Sequence, residues 1–153
     1  MIVRPARAAD LPEIVALLAD DPLGATREGA SDPPDPAYQS AFEAIAEDSN
    51  QLLAVLEGED RVLGCLQLSF LPGLSRRGAW RGQIESVRVA RDQRGRGLGR
   101  LAFAWAFERF RERGCFLVQL TSDKARPEAL AFYRSLGFEA SHEGLKLTLS
   151  GTP

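Results

Sequence analysis

The sequence predicts an α/β domain: a mixed, mostly antiparallel central sheet with flanking helices and one βαβ crossover. Three observations carry that prediction. The 153 residues are 44% hydrophobic and 26% charged, the make-up of one globular domain. Apolar periodicity along the chain reads in the order β-α-α-β-β-β-α-β-α-β-β. A glycine-rich turn, Arg94-Gly95-Arg96-Gly97-Leu98-Gly99, joins a strand-like run to a helix-like one, which is where a crossover to a parallel strand begins.

Ile2-Val3-Arg4 forms a short first strand. Asp10 ahead of Leu11-Pro12-Glu13 reads as a helix cap, and Leu11, Ile14, Val15 and Leu18 follow at helical spacing. Residues 21–36 hold four prolines and two glycines, a loop long enough to suspect function. Asp35-Pro36 opens a second helix with Phe42 and Ile45 on its apolar side. Leu52 to Leu56 is a strand, Gly58-Glu59-Asp60 a turn, and Arg61 to Leu71 the hairpin partner, with Val62, Gly64, Leu66, Leu68 and Phe70 on one face. A basic loop, Pro72 to Gly82, leads to strand Gln83–Ala90. The helix after the glycine-rich turn runs to about Arg113, and its Phe and Trp residues are expected in the core. Gly114 stops it. Cys115 to Leu120 is a further strand, Pro127 to Leu136 a short helix ended by Gly137, and Leu145 to Leu149 alternates as a last strand. No internal repeat interrupts this order, so residues 1–150 are read as a single domain.

Several classes are excluded. The longest apolar run, Leu101 to Phe107, is far short of the roughly 20 residues of a membrane span. Met1 leads straight into polar sequence with no signal-peptide pattern. Cys65 and Cys115 sit in apolar stretches without CxxC spacing, beside a single histidine, His142. No zinc module or disulfide framework fits that, no metal is expected, and a reducing cytoplasm is the expected location. The net charge of −2 hides an asymmetry: residues 1–60 carry 13 Asp/Glu against 3 Arg, whereas residues 76–100 carry 8 Arg against Glu85 and Asp92. Trp80 among Arg76, Arg77 and Arg81 has the look of a nucleic-acid platform, but overall acidity argues against nucleic acid and for a mobile loop or subunit contact.

The chemistry concentrates at residues 84–113. Glycines at a strand-to-helix turn let backbone N–H groups converge on an anion, and the helix N-terminus adds partial positive charge. Arg94, Arg96 and Arg100 suit phosphate oxygens. The dinucleotide fingerprint fails because position 100 is Arg, and a phosphate-binding P-loop fails for want of Gly-Lys-Ser/Thr. What remains, Arg94-x-x-Gly97-x-Gly99, resembles the pyrophosphate loop of the GCN5-related N-acetyltransferase (GNAT) family. Phe132-Tyr133-Arg134-Ser135-Leu136-Gly137-Phe138 is similar to that family's Phe-Tyr-x-x-x-Gly-Phe signature, and the element order agrees over essentially the whole chain.

The resemblance implies an acyl-CoA N-acyltransferase fold with acetyl-CoA as co-substrate. It implies that the backbone of Val87, Arg88 and Val89 pairs with the pantetheine arm, and that Arg94, Gly95, Arg96, Gly97, Leu98, Gly99 and Arg100 cradle the pyrophosphate. Tyr133 matches the tyrosine that protonates the departing thiolate, and Glu85 the carboxylate proposed as general base through water. Arg126 stands where members often have Asn; it can still contact the cofactor. Homodimers are frequent among relatives of this fold.

Residue chemistry agrees with those roles. An amine of pKa ~10.4 must lose a proton before it attacks a thioester, and Glu85 on a half-buried strand is a candidate base. Glu85 facing solvent or paired with Arg88 is the competing reading. Tyr133, with a reference pKa of ~10, can donate to the leaving thiolate, but full transfer to a thiolate of pKa ~8.5 is uphill by about 2 kcal/mol. His142 is read as a loop histidine and both cysteines as small buried hydrophobes. The expected activity is direct acetyl transfer to a small-molecule amine, without nucleic acid or membrane. A non-catalytic acyl-CoA sensing module is the alternative, and a nucleotide- or RNA-binding protein a third. Asp20, Asp21, Glu28, Asp32 and Asp35 cluster within sixteen residues and point to a cationic acceptor.

Overall fold

The computed structural model describes residues 1–20, 23–29, 31 and 33–149. The chain forms two compact units, Met1–Leu120 and Thr121–Pro153. The first holds β1 (Ile2–Pro5), α1 (Leu11–Ala19), α2 (Pro36–Glu47), β2 (Gln51–Glu57), β3 (Val62–Leu71), the single turn α3 (Ser75–Gly78), β4 (Trp80–Val89), α4 (Leu98–Glu112) and β5 (Cys115–Gln119). Strands lie in the order β1-β2-β3-β4-β5. The first four are antiparallel, and β4 and β5 are parallel across α4, the one crossover.

Register assigns each sheet face. Gly64, Leu66, Leu68 and Phe70 of β3 and Gly82 and Ile84 of β4 share the face under α4, which buries Leu98, Ala102, Phe103, Ala106 and Phe110. Trp105 and Phe107 are only half-buried and Leu101 is exposed, so the helix is less fully core than its composition predicts. Phe110 packs edge-on to Phe70 and lies against Gly82, where an added Cβ would meet its ring at 2.4 Å. Absence of a side chain at 82 is what lets helix and strand approach. On the opposite face, Ile14 of α1 packs with Val55, Val62 and Cys65.

Asp10 does not cap α1 with its side chain. It turns back to accept from Arg4 Nη1 at 2.7 Å, Arg4 Nη2 at 3.0 Å and the Arg7 N–H at 2.7 Å. Both partners are about nine-tenths buried, and Arg4 also donates to Glu57. The Arg4 guanidinium therefore holds the Asp10 carboxyl below the ordinary range despite burial. Its stabilisation is present above the unfolded pKa of ~3.9 and is lost as pH falls through the depressed folded value. Asp10→Ala is expected to cost about 3 kcal/mol at pH 7, since Arg4 keeps Glu57. Urea melts across pH should show the gap to wild type closing below pH 4; a constant gap would contradict the ion-pair account.

Asp35 does cap α2, accepting from Ala37 N–H at 2.8 Å. β4 starts three residues earlier than its expected Gln83, so Trp80 belongs to the sheet rather than to a loop, and Arg113 stacks over its ring and that of Phe70.

In the second unit, α5 (Pro127–Ser135) ends at Gly137, whose φ is +95°. The expected last strand does not form: residues 138–149 contain no strand. Leu145, Leu147 and Leu149 are 92%, 85% and 92% exposed. Alternation makes a strand only where a neighbouring edge accepts its backbone and a core accepts its apolar face.

Candidate active site

Two features of the first unit offer backbone groups to a ligand. In β4, Ser86 has φ +54°, the left-handed region that side-chain-bearing residues seldom enter. Cys65 pairs with Arg88 and Gln67 with Glu85, so Leu66 alone faces both Ser86 and Val87: a β-bulge. Past it, Ala90 N–H donates to Leu63 O at 2.8 Å, toward β3. Strand alternation then turns the N–H and C=O of Val87 and Val89 to the other edge. β5 does not reach them, because its ladder with β4 runs only from Trp80↔Cys115 to Gln83↔Gln119. Arg88 Nη1 donates to Val87 O at 2.8 Å and Arg94 Nε to Val89 O at 3.2 Å, as outward-facing carbonyls allow.

The second feature follows directly. A 3-10 turn, Arg91–Gln93, leads into Arg94, and Gly95 and Gly97 take φ +77° and +81°. Gly97 is the N-cap of α4 without a side-chain cap, so the N–H groups of the first turn, from Leu98, Gly99 and Arg100, point outward with the helix dipole behind them. A Cβ at 95 or 97 would meet nothing within 4 Å. Glycine is needed there for its backbone angle, and the space above is open. Arg94, Arg96 and Arg100 are exposed around this turn.

Glu85 is exposed, which corrects the half-buried position expected from its strand. It pairs in register with Gln67, on the face that carries α1. Arg88 points the same way and engages Val87 rather than Glu85. Arg126 and Tyr133 belong to the second unit. Arg126 is the N-cap residue of α5, and Tyr133 is half-buried between the rings of Phe132 and Phe138. His142 is exposed beside Ser141. Burial pushes the Cys65 thiol up to about 12 and raises that of Cys115.

The acidic cluster is partly consumed by structure. Asp20 pairs with Arg91, Glu28 accepts from the Tyr38 hydroxyl at 2.6 Å, and Asp35 caps α2. Asp21 and Asp32 lie outside the described residues. A groove of about 560 Å³ beside Glu13, Asp20, Arg61 and Arg91 is lined by charges that also pair among themselves.

Sequence reasoning missed Ser86 and the polar face of the sheet. No residue type marks a bulge. The face was signalled by Gln67-x-Ser69 and Gln83-x-Glu85, which break apolar alternation in two neighbouring strands.

The first unit thus sets an open strand edge next to a helix N-terminus whose first-turn N–H groups face outward. The sequence pattern of the Acetyltransferase (GNAT) family matches residues 12–138. The chain belongs to that family, and it is an acetyl-CoA-dependent N-acetyltransferase. It is 31% identical, over 91% of its length and 80% of the relative's, to an L-methionine sulfoximine/L-methionine sulfone acetyltransferase of Pseudomonas paraeruginosa. Among solved structures it resembles a transcriptional regulator from Bacillus halodurans (47% identity, TM-score 0.94, 97% of this chain and 99% of that one). It also resembles a putative acetyltransferase from Agrobacterium tumefaciens (26% identity, TM-score 0.82, the same coverage). No helix among the described residues is long and apolar enough to cross a membrane.

Proposed function

We propose that residues 1–150 work as one catalytic domain, moving the acetyl group of acetyl-CoA to the primary amine of a small cationic acceptor by direct transfer in a ternary complex. The observation that carries this reading is the outward backbone of Val87 and Val89 on the edge β5 leaves open. An extended pantetheine arm pairs there as an added strand would, with its pyrophosphate over Gly97–Arg100. A backbone N–H beside the bulge then donates to the thioester oxygen as it becomes an oxyanion. The amine loses a proton through water to Glu85, the C–N bond forms, and the C–S bond breaks as Tyr133 donates to the departing thiolate. An acyl-cysteine route has no support, because neither thiol has a raised thiolate population.

The test is free-thiol release from acetyl-CoA over a panel of amines, peptides and aminoglycosides. Release with a cationic amine is expected. Acetyl-CoA binding with no release for any amine would overturn catalysis. It would favour the sensing role, in keeping with the transcriptional regulator from Bacillus halodurans that this chain resembles.

The acceptor's charge has its own check. The acidic first 60 residues concentrate a cation, with their field screened beyond about 8–10 Å at physiological salt. Raising salt should increase KM for the acceptor, and neutralising Asp20, Asp21 and Glu28 together should mimic it. A KM indifferent to salt, or an anionic acceptor, would contradict the proposal.

A further inference from the structure

A sheet face that lies under helices is apolar by default, and one end of this one is: Val55 and Cys65 are buried beneath Ile14. Two rows away on the same face the pattern reverses. Gln51 pairs with Ser69, Ser69 with Gln83, and Gln83 with Gln119, so four strands contribute a polar residue to one line across the sheet. The next row holds Gln67 beside Glu85.

Their side chains are already oriented. Gln67 Nε2 and Ser69 Oγ donate to Gln51 Oε1 at 3.0 Å and 2.9 Å, and Gln119 Nε2 donates to Gln83 Oε1 at 3.0 Å. Those bonds leave the Gln83 Nε2 donor and the Gln67 and Gln119 Oε1 acceptors for a ligand, and they fix which atom faces which way. The Gln83–Gln119 pair is also the last rung before β4 loses β5, so it sits at the mouth of the open edge.

We propose that this row of amides is the floor of the acceptor site. It selects primary amines that carry neutral hydrogen-bonding groups, hydroxyls or carboxamides, near the nitrogen. The inference rests on the acetyltransferase reading, with the amine brought to Glu85. Neutral donors and acceptors match a hydroxyl or amide, and they leave a bare alkyl group facing unpaired polar atoms. Arg81 is the next residue beyond the row on this face, four residues from Glu85, or about 13 Å at 3.3 Å per residue. That distance keeps the anion-binding side chain of Arg81 out of reach of a compact acceptor whose amine lies at Glu85.

The test compares matched amines at saturating acetyl-CoA: ethanolamine against propylamine, glucosamine against cyclohexylamine, and glycinamide against glycine. Wild type should favour the first of each pair at least tenfold in kcat/KM. Gln83→Met should raise KM for the hydroxylated amine about tenfold, with less than a twofold change for the alkylamine and in KM for acetyl-CoA. Gln119→Leu, at an exposed edge position, provides the same test if Gln83→Met fails to fold. Equal effects on both members of a pair, or a wild-type preference for alkylamines or glycine, would overturn the inference while leaving acetyl transfer intact. Wild type that acetylates none of these amines and no other in the panel would overturn the reading beneath it as well.

Discussion

Gly97→Asp should abolish the thermal shift that CoA produces in the wild-type protein. At a hundredfold excess over Kd, a ligand that binds only the folded state adds about 2.7 kcal/mol. For a chain of this length that is roughly 8 °C in Tm. Gly97 stands at the N-cap of α4 with φ +81°, where the first-turn N–H groups point out. In the proposed complex an aspartate there puts a carboxylate against the pyrophosphate. Unliganded Tm should fall only by the cost of a left-handed aspartate, about 1 kcal/mol, because nothing lies within 4 Å of an added Cβ. A CoA shift that persists would place the cofactor elsewhere.

Tyr133→Phe should lower kcat by about a hundredfold, the lower end for a positioned proton donor, with KM for acetyl-CoA within twofold. The hydroxyl is asked to act only as negative charge develops on sulfur, so its loss falls on kcat. Glu85→Gln should act differently, displacing the acidic limb of the pH–rate profile. Equal losses in kcat and acetyl-CoA affinity for Tyr133→Phe would make the tyrosine a packing residue. An unchanged profile for Glu85→Gln would leave water alone as the base.

The parts of the fold legible in the sequence were those where local pattern and tertiary use coincide. Asp35-Pro36 starts α2, Gly58-Glu59-Asp60 turns the β2–β3 hairpin, and the glycine-rich turn opens α4. Asp10 stands at the N-cap of α1 as its local pattern predicts, but its side chain is claimed by Arg4 in the neighbouring strand, which no local signal marks. Leu145–Leu149 has the alternation of a strand but no paired edge in its own unit. The glycine-rich turn before α4 was legible because its glycines and arginines lie close together in sequence. The open edge was not: it depends on where β5 stops pairing with β4, a property of two strands with a helix between them. The polar row was hidden for the same reason, since Gln51, Ser69, Gln83 and Gln119 meet only through register.

The central claim is that acetyl-CoA lies along the β4 edge and over the N-terminus of α4. Amide hydrogen exchange resolved by residue, with and without acetyl-CoA, tests it most directly. The account predicts new protection at the Val87 and Val89 amides together with Gly97–Arg100, and little change in β1 and β2. Protection that spares Val87 and Val89, or that centres on the groove beside Glu13 and Arg61, would contradict it.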